Sequence, residues 1–169
     1  MDTLEIDRTM RYDPYTREVY GGTFAVDKLP NPLAPNRLYI INLDESTQEG
    51  SHWCQASSMD SPLSVTYFDS FGRPPPNQIL SSLLSQGATI LYSDIVIQSP
   101  MSQACGYHVL LVSLLQARGY SLPEILTKFY QSEDLDYLRN DAYARSLIST
   151  LTALEERPLL DWRQLFFSQ

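Results

Sequence analysis

Gln98-Ser99-Pro100-Met101-Ser102-Gln103-Ala104-Cys105-Gly106-Tyr107-His108-Val109-Leu110-Leu111-Val112-Ser113-Leu114-Leu115-Gln116-Ala117-Arg118-Gly119 is the stretch that decides the fold. Before Pro100 the apolar residues come in short strand-type runs; after it the period changes. Val109, Leu111, Val112, Leu114 and Leu115 predict a buried helix over Cys105 to Arg118, ended by Gly119. Cys105 stands where a loop passes into the first turn of that helix. A helix N-terminus favours negative charge and lowers the pKa of a thiol placed there.

Upstream, Leu38 to Leu43 predicts a short buried strand. His52 to Ala56 and Ser64 to Phe68 predict two more, separated by the turn residues Asp60-Ser61-Pro62. Phe71-Gly72 and Pro74-Pro75-Pro76 break the chain. Ile79 to Leu84 then predicts a short helix closed by Gly87, and β-branched Ala88 to Ile97 a fourth strand. The first 35 or so residues are polar and turn-rich, and Gly21-Gly22, Pro30, Pro32 and Pro35 predict an extended, irregular path. Downstream, helices are expected at Leu122 to Tyr130 and Asp134 to about Leu154, with a turn around Trp162 to Phe167. Strands fill the middle and helices the end. This segregation predicts an α+β fold: a small mixed sheet, a central helix carrying Cys105, and further helices at the C-terminus. No repeat or linker divides the chain, so one domain over residues 1–169 is expected.

Composition bounds the function. Apolar residues make up 43% of 169, in the ordinary globular range. The net charge of −8 argues against a broad nucleic-acid-binding face, which needs Lys and Arg to neutralise phosphates. Two cysteines, Cys54 and Cys105, make no disulfide framework, and with no secretory signal they fit a reducing compartment. No apolar run reaches the roughly 18–20 residues of a membrane span. A soluble, non-secreted protein is expected.

Four residue types in this chain can assemble a thiol-based acyl-transfer site. A cysteine nucleophile needs a base within hydrogen-bond reach, the base needs an orienting acceptor, and the oxyanion needs preorganised donors. Cys105 is the candidate nucleophile, and Gly106 beside it allows close approach of backbone or substrate. Of the two histidines, His52 at the start of a strand is the better base. His108 would share a helix face with Cys105 and crowd out substrate; it is expected to be a partly exposed or cleft-lining residue. Asp69, ending a strand beside the one carrying His52, is the candidate orienting carboxylate, with Asp44 and Asp60 as weaker rivals in loops. Gln98 and Gln103 compete as oxyanion donor. Each residue alone also has a plain packing or turn-forming reading.

In combination and order these residues resemble the adenovirus protease (adenain) family. Gly50-Ser51-His52-Trp53 resembles the family's segment holding the catalytic histidine. Tyr67-Phe68-Asp69-Ser70-Phe71-Gly72 is similar to its acidic-residue segment. Gln98 to Gly106 is similar to its Gln-to-Cys segment, and the seven-residue offset selects Gln98 over Gln103. Gly22-Thr23-Phe24-Ala25-Val26-Asp27-Lys28-Leu29-Pro30 resembles the family's N-terminal segment beside the cleft. The likeness spans about residues 20–115, and the chain looks especially like the compact proteases of Polinton/Maverick elements and their viral relatives.

The resemblance implies a cysteine endopeptidase with His52, Asp69, Gln98 and Cys105 as catalytic residues and Gly22, Trp53 and Gly106 as substrate-binding ones. It implies a polypeptide substrate, a viral capsid or core precursor cut after a small residue such as Gly, and a site of action in the virion or the host nucleus or cytoplasm. Adenoviral enzymes are stimulated by DNA and by a capsid-derived peptide joined through a second cysteine. The acidity of this chain speaks against DNA, and no cysteine lies between Gly72 and Gln98, where that partner would be expected. Cys54 is therefore read as structural. No cofactor or metal is expected; an activating peptide is left open, and a monomer is expected. The alternatives are a deconjugating protease for a ubiquitin-like modifier, which shares this layout, and an inert binding module of the same fold.

Overall fold

The computed structural model of the chain describes residues 1–61, 63–129 and 134–153. Helix α1 (Thr3–Tyr12) opens on a capping box. The Asp2 carboxylate accepts from the Glu5 N–H at 2.9 Å, and the Glu5 carboxylate accepts from the Asp2 N–H at 2.8 Å. Ile6 and Met10, one turn apart, are wholly buried. A short helical turn, α2 (Thr16–Val19), leads into strand β1 (Tyr20–Ala25). The N-terminal region thus departs from the irregular path expected of it. The glycines and prolines behind that expectation mostly follow Tyr20; the first nineteen residues contain no glycine and only Pro14.

Four further strands complete the sheet: β2 (Leu38–Asn42), β3 (Trp53–Ser61), β4 (Ser64–Phe68) and β5 (Thr89–Tyr92). Their order is β1-β2-β3-β4-β5; the outer pairs are parallel and the two inner pairs antiparallel. Helix α3 (Asn77–Ser85) precedes β5, and α4 (Cys105–Gln116), α5 (Leu122–Leu126) and α6 (Asp134–Ala153) follow it. The described residues therefore form the expected α+β architecture, with a five-stranded mixed sheet and six helices.

Side chains alternate across the sheet. Leu38, Ile40, Trp53 and Phe68 pack on the α4 side, and Tyr39, Ile41, Cys54, Ala56, Val65 and Tyr67 share the opposite core with Ile79 and Leu83 of α3. In α4 every residue except Tyr107 is buried, as befits a helix with other elements around it: α1, α5, α6 and β3 all pack against it. One polar link fixes helix to sheet. Gln55 on β3 donates from Nε2 to Ser113 Oγ at 3.0 Å and to Gln116 Oε1 at 2.7 Å, and all three residues are buried.

Three boundaries differ from expectation by more than two residues. Strand β3 runs on to Ser61, past the expected Ala56 and into the expected turn. The fourth strand stops at Tyr92 instead of running to Ile97, because the Ile97 and Gln98 N–H groups both donate to the Ser70 carbonyl, at 3.0 and 3.1 Å. Helix α5 ends at Leu126, short of the expected Tyr130. The turn expected around Trp162 to Phe167 lies outside the described residues. Among the described residues no helix is long and apolar enough to cross a membrane.

Met10→Ala removes a fully buried side chain that ties α1 to the core around α4. It is expected to cost about 2–5 kcal/mol, read as a lower midpoint in urea unfolding; a loss below about 0.5 kcal/mol, the size of an ordinary surface substitution, would mean that α1 does not dock as described.

Candidate active site

The pairing of β3 with β4 sets the first half of the site. Gln55 lies opposite Phe68, so the residues preceding β3 and following β4 emerge at one end of the sheet. There His52 Nε2 meets Asp69 Oδ1 at 2.9 Å, with both side chains buried. Asp69 is held from two further sides. Its Oδ1 also accepts from the Phe71 N–H at 2.7 Å, and its Oδ2 accepts from the Cys54 thiol at 3.5 Å. The turn after Asp69 depends on Gly72, at φ +65°; a Cβ there would come 2.4 Å from the Asp94 carbonyl oxygen. This turn lays the Phe71 ring on the His52 imidazole, centroids 5.0 Å apart and planes 24° apart. The aromatic cover keeps the His52–Asp69 pair dry on that side.

Helix α4 supplies the second half. Cys105 is its first residue, and no side chain caps the helix there, so the first-turn N–H groups remain for an anion at the sulfur or beyond it. The Cys105 sulfur hydrogen-bonds the His52 ring and accepts from the Trp53 and Gly106 backbone N–H groups. With Nε2 turned to Asp69, Nδ1 is the nitrogen that serves the thiol. Burial lowers the His52 pKa, but the hydrogen bonds to Asp69 and Cys105 outweigh it and the net shift is upward. Burial raises the Cys105 pKa, and the His52 hydrogen bond and backbone donors reverse this to a net lowering. The two shifts agree in direction: both favour thiolate and imidazolium. Cys54 behaves oppositely. Burial pushes its thiol up to about 11, so it stays protonated and able to donate to Asp69.

Gln98 reaches the site from the loop before α4. It is buried; its Oε1 accepts from Ser70 Oγ at 2.6 Å and its Nε2 donates to the Ser102 carbonyl at 2.9 Å. Gln98, His52, Phe71, Cys105 and Gly106 border one cleft of about 320 Å³. Trp53 borders it too, and also lines an adjoining cavity of about 450 Å³ that includes Thr23 and Phe24. The Trp53 indole N–H donates to the Met1 carbonyl at 3.3 Å, and the Met1 side chain lies over Gly106, where a Cβ would stand 2.9 Å from its sulfur.

The structure therefore gathers His52, Gln98, Cys105, Trp53 and Gly106 around one cleft, with Asp69 behind the His52 ring. Gly22 stands on β1 beside Thr23 and Phe24; its φ of +128° and lack of a Cβ leave room for the Phe24 ring. Gln103 also borders the cleft, but Gln98 is the one whose amide is held at both ends, by buried Ser70 and half-buried Ser102. His108 corrects the sequence expectation: it is wholly buried, and its Nε2 meets Asp141 Oδ1 on α6 at 2.8 Å. Sequence reasoning missed that pair because its members lie 33 positions apart on different helices. It missed the link from Cys54 to Asp69 as well, although the β3–β4 register, once known, places those two residues opposite each other. Among the described residues, His52, Cys54 and Asp69 form the one group with metal-ligand donor types in mutual reach. Its atoms already hydrogen-bond one another, which is the wiring of a charge-oriented base.

No family model matches the chain, and no curated protein matches it. Solved structures do. The ASFV pS273R protease is 15% identical with a TM-score of 0.55, covering 83% of this chain and 66% of that one. A selenomethionine crystal of the same protease aligns at 24% identity and a TM-score of 0.40, over 62% of this chain and 43% of that one. The chain thus spans less than two thirds of that protease. The SUMO protease Ulp1, with its catalytic cysteine oxidised to a sulfinic acid, is 16% identical with a TM-score of 0.50, covering 92% of this chain and 79% of that one. At these identities the likeness is one of fold.

The thiolate–imidazolium pair exists between the lowered pKa of Cys105 and the raised pKa of His52, and is lost as pH falls through the first or rises through the second. Alkylation by iodoacetamide is expected to modify Cys105 alone and to reach half its maximal rate below about pH 8.5, the value of a free thiol. His52→Ala is expected to move that midpoint up, since burial is then opposed by the Trp53 and Gly106 backbone donors alone. Mass-resolved alkylation across pH checks both; equal labelling of Cys54, or an unmoved midpoint, contradicts the pairing.

Proposed function

We propose that this chain is a cysteine endopeptidase that cleaves viral capsid or core precursor proteins after a small residue such as Gly. The observation that carries the reading is the meeting, in one cleft, of a Cys105–His52–Asp69 relay with the Gln98 amide. The Cys105 thiolate attacks the scissile carbonyl, forming a C–S bond. The oxyanion is held by the Gln98 amide and by the Cys105 N–H, which helix geometry leaves without an intrahelical acceptor. The His52 imidazolium protonates the leaving amine as the C–N bond breaks. Neutral His52 then takes a proton from water, which attacks the thioester, and the thiolate leaves to restore the ion pair. Throughout, Asp69 stabilises the charged ring and fixes which nitrogen faces the sulfur.

Met1, hydrogen-bonded to the Trp53 indole and packed over Gly106, crowds this part of the cleft, which supports a small residue at the cut, because a β-branched or aromatic side chain would have to displace that packing. Action inside the virion or infected cell belongs to the same reading, as does a monomer; an activating peptide is compatible with it. A second reading, deconjugation of a ubiquitin-like modifier, is favoured by the fold shared with the SUMO protease.

The test is to incubate the wild-type chain and its Cys105→Ala variant with the structural proteins encoded beside it and, separately, with modifier conjugates. Cleavage of the structural proteins by wild type alone supports the proposal, and cleavage of conjugates alone supports the second reading. Cleavage of neither, together with an ordinary thiol pKa at Cys105, would make the protein an inert binding module. Gln98→Ala is expected to lower kcat by ~10²–10³ with the fold intact.

A further inference from the structure

The relay uses Asp69 and the oxyanion donor is Gln98, yet the residue touching both segments has no role in that scheme. Ser70 follows Asp69 directly and is wholly buried. Its hydroxyl lies 2.6 Å from Gln98 Oε1, and its carbonyl accepts from the Ile97 N–H at 3.0 Å and the Gln98 N–H at 3.1 Å. Ser70 thus grips Gln98 at both backbone and side chain.

The chemistry of the contact makes it directional. Oε1 of an amide can only accept, so the serine O–H must donate to it. On the other side, the Ser102 carbonyl can only accept, so the group 2.9 Å from it must be Nε2. The Ser102 carbonyl therefore requires this amide orientation, with Ser102 Oγ a further 3.3 Å contact of Nε2; the Ser70 hydroxyl, able to donate or accept, then donates to Oε1 and anchors the other end of the amide. Rotated by half a turn, the amide would set Oε1 against the Ser102 carbonyl and turn a lone pair where an oxyanion needs a donor. The segment is braced from behind as well. Asn140 Nδ2 donates to the Ile97 carbonyl at 3.0 Å, and the Ser99 N–H donates to Asp141 Oδ2 at 3.3 Å.

We infer that Ser70 is the positioning residue of the oxyanion hole: its hydroxyl holds the Gln98 amide with the N–H side toward the cleft. The inference rests on the reading of Gln98 as oxyanion donor. It also means that one turn, Asp69-Ser70, sets both arms of the site, the carboxylate orienting the base and the hydroxyl orienting the donor.

Alkylation by iodoacetamide displaces iodide at a saturated carbon and develops no oxyanion, whereas peptide hydrolysis does; the two reactions separate the arms. Ser70→Ala is expected to lower kcat on a cleaved peptide about tenfold, less than loss of the donor itself, with KM within about twofold and the pH profile of Cys105 alkylation unchanged. In a Gln98→Ala background it is expected to cause no further loss, because its effect passes through that amide. Ser70→Cys, close in volume and a weaker donor, is expected to fall between wild type and the Ala variant; it carries the same comparisons should the Ala variant not fold. An unchanged kcat, an equal loss with and without Gln98, or a parallel loss of alkylation would overturn the inference. A Gln98→Ala variant as fast as wild type would instead overturn the oxyanion reading beneath it.

Discussion

The register between β3 and β4 is the constraint on which the rest depends. With Gln55 opposite Phe68, Cys54 falls opposite Asp69 and His52 lies two residues beyond. A slip of one residue would turn every side chain on the strand to the other face. Trp53 would leave the core around α4, Gln55 would lose Ser113 and Gln116, and the imidazole would no longer meet the carboxylate. The hydrophobic alternation of the two strands therefore positions chemistry as well as packing: the pattern that buries Phe68 beneath α4 and Tyr67 beneath α3 delivers Asp69 to the right end of the sheet.

Burying so many polar groups is costly unless each is paired. His52, Asp69, Ser70 and Gln98 are all nearly inaccessible to water, and each finds a partner in another member or in a neighbouring backbone group. Cys54 closes the back of the cluster by donating to Asp69. Such a network tolerates few changes, because removing one member strands another. This interdependence also gives rigidity: His52, Asp69 and Gln98 are each held from more than one direction.

Much of this was legible in the residues. Strand β4 falls where Ser64 to Phe68 predicted it, and α4 begins at the cysteine that the change of period singled out. Those signals are local, carried by spacing and by the proline and glycine punctuation around them. The N-terminal helix was legible as well, through Asp2 and Glu5 and the spacing of Ile6 and Met10, but the later glycines and prolines outweighed it. Other features were beyond reach. Nothing near His108 announces Asp141, and nothing near Ser70 announces Gln98, 28 positions on. Such contacts are set by how distant segments stack, and a single sequence carries no marker of that. The short β5 belongs to the same class, since its end is decided by a carbonyl from the Asp69-Ser70 turn.

The support that α6 lends to residues 97–99 has a temporal side. Along the chain the base comes first, the carboxylate next and the sulfur after both, while Asn140 and Asp141, which brace the loop between them, come later still. On the ribosome, a nascent polypeptide would expose its imidazole and even its thiol well before the bracing helix had emerged to complete the cleft. Translation order alone would then delay assembly of the cluster until α6 had emerged.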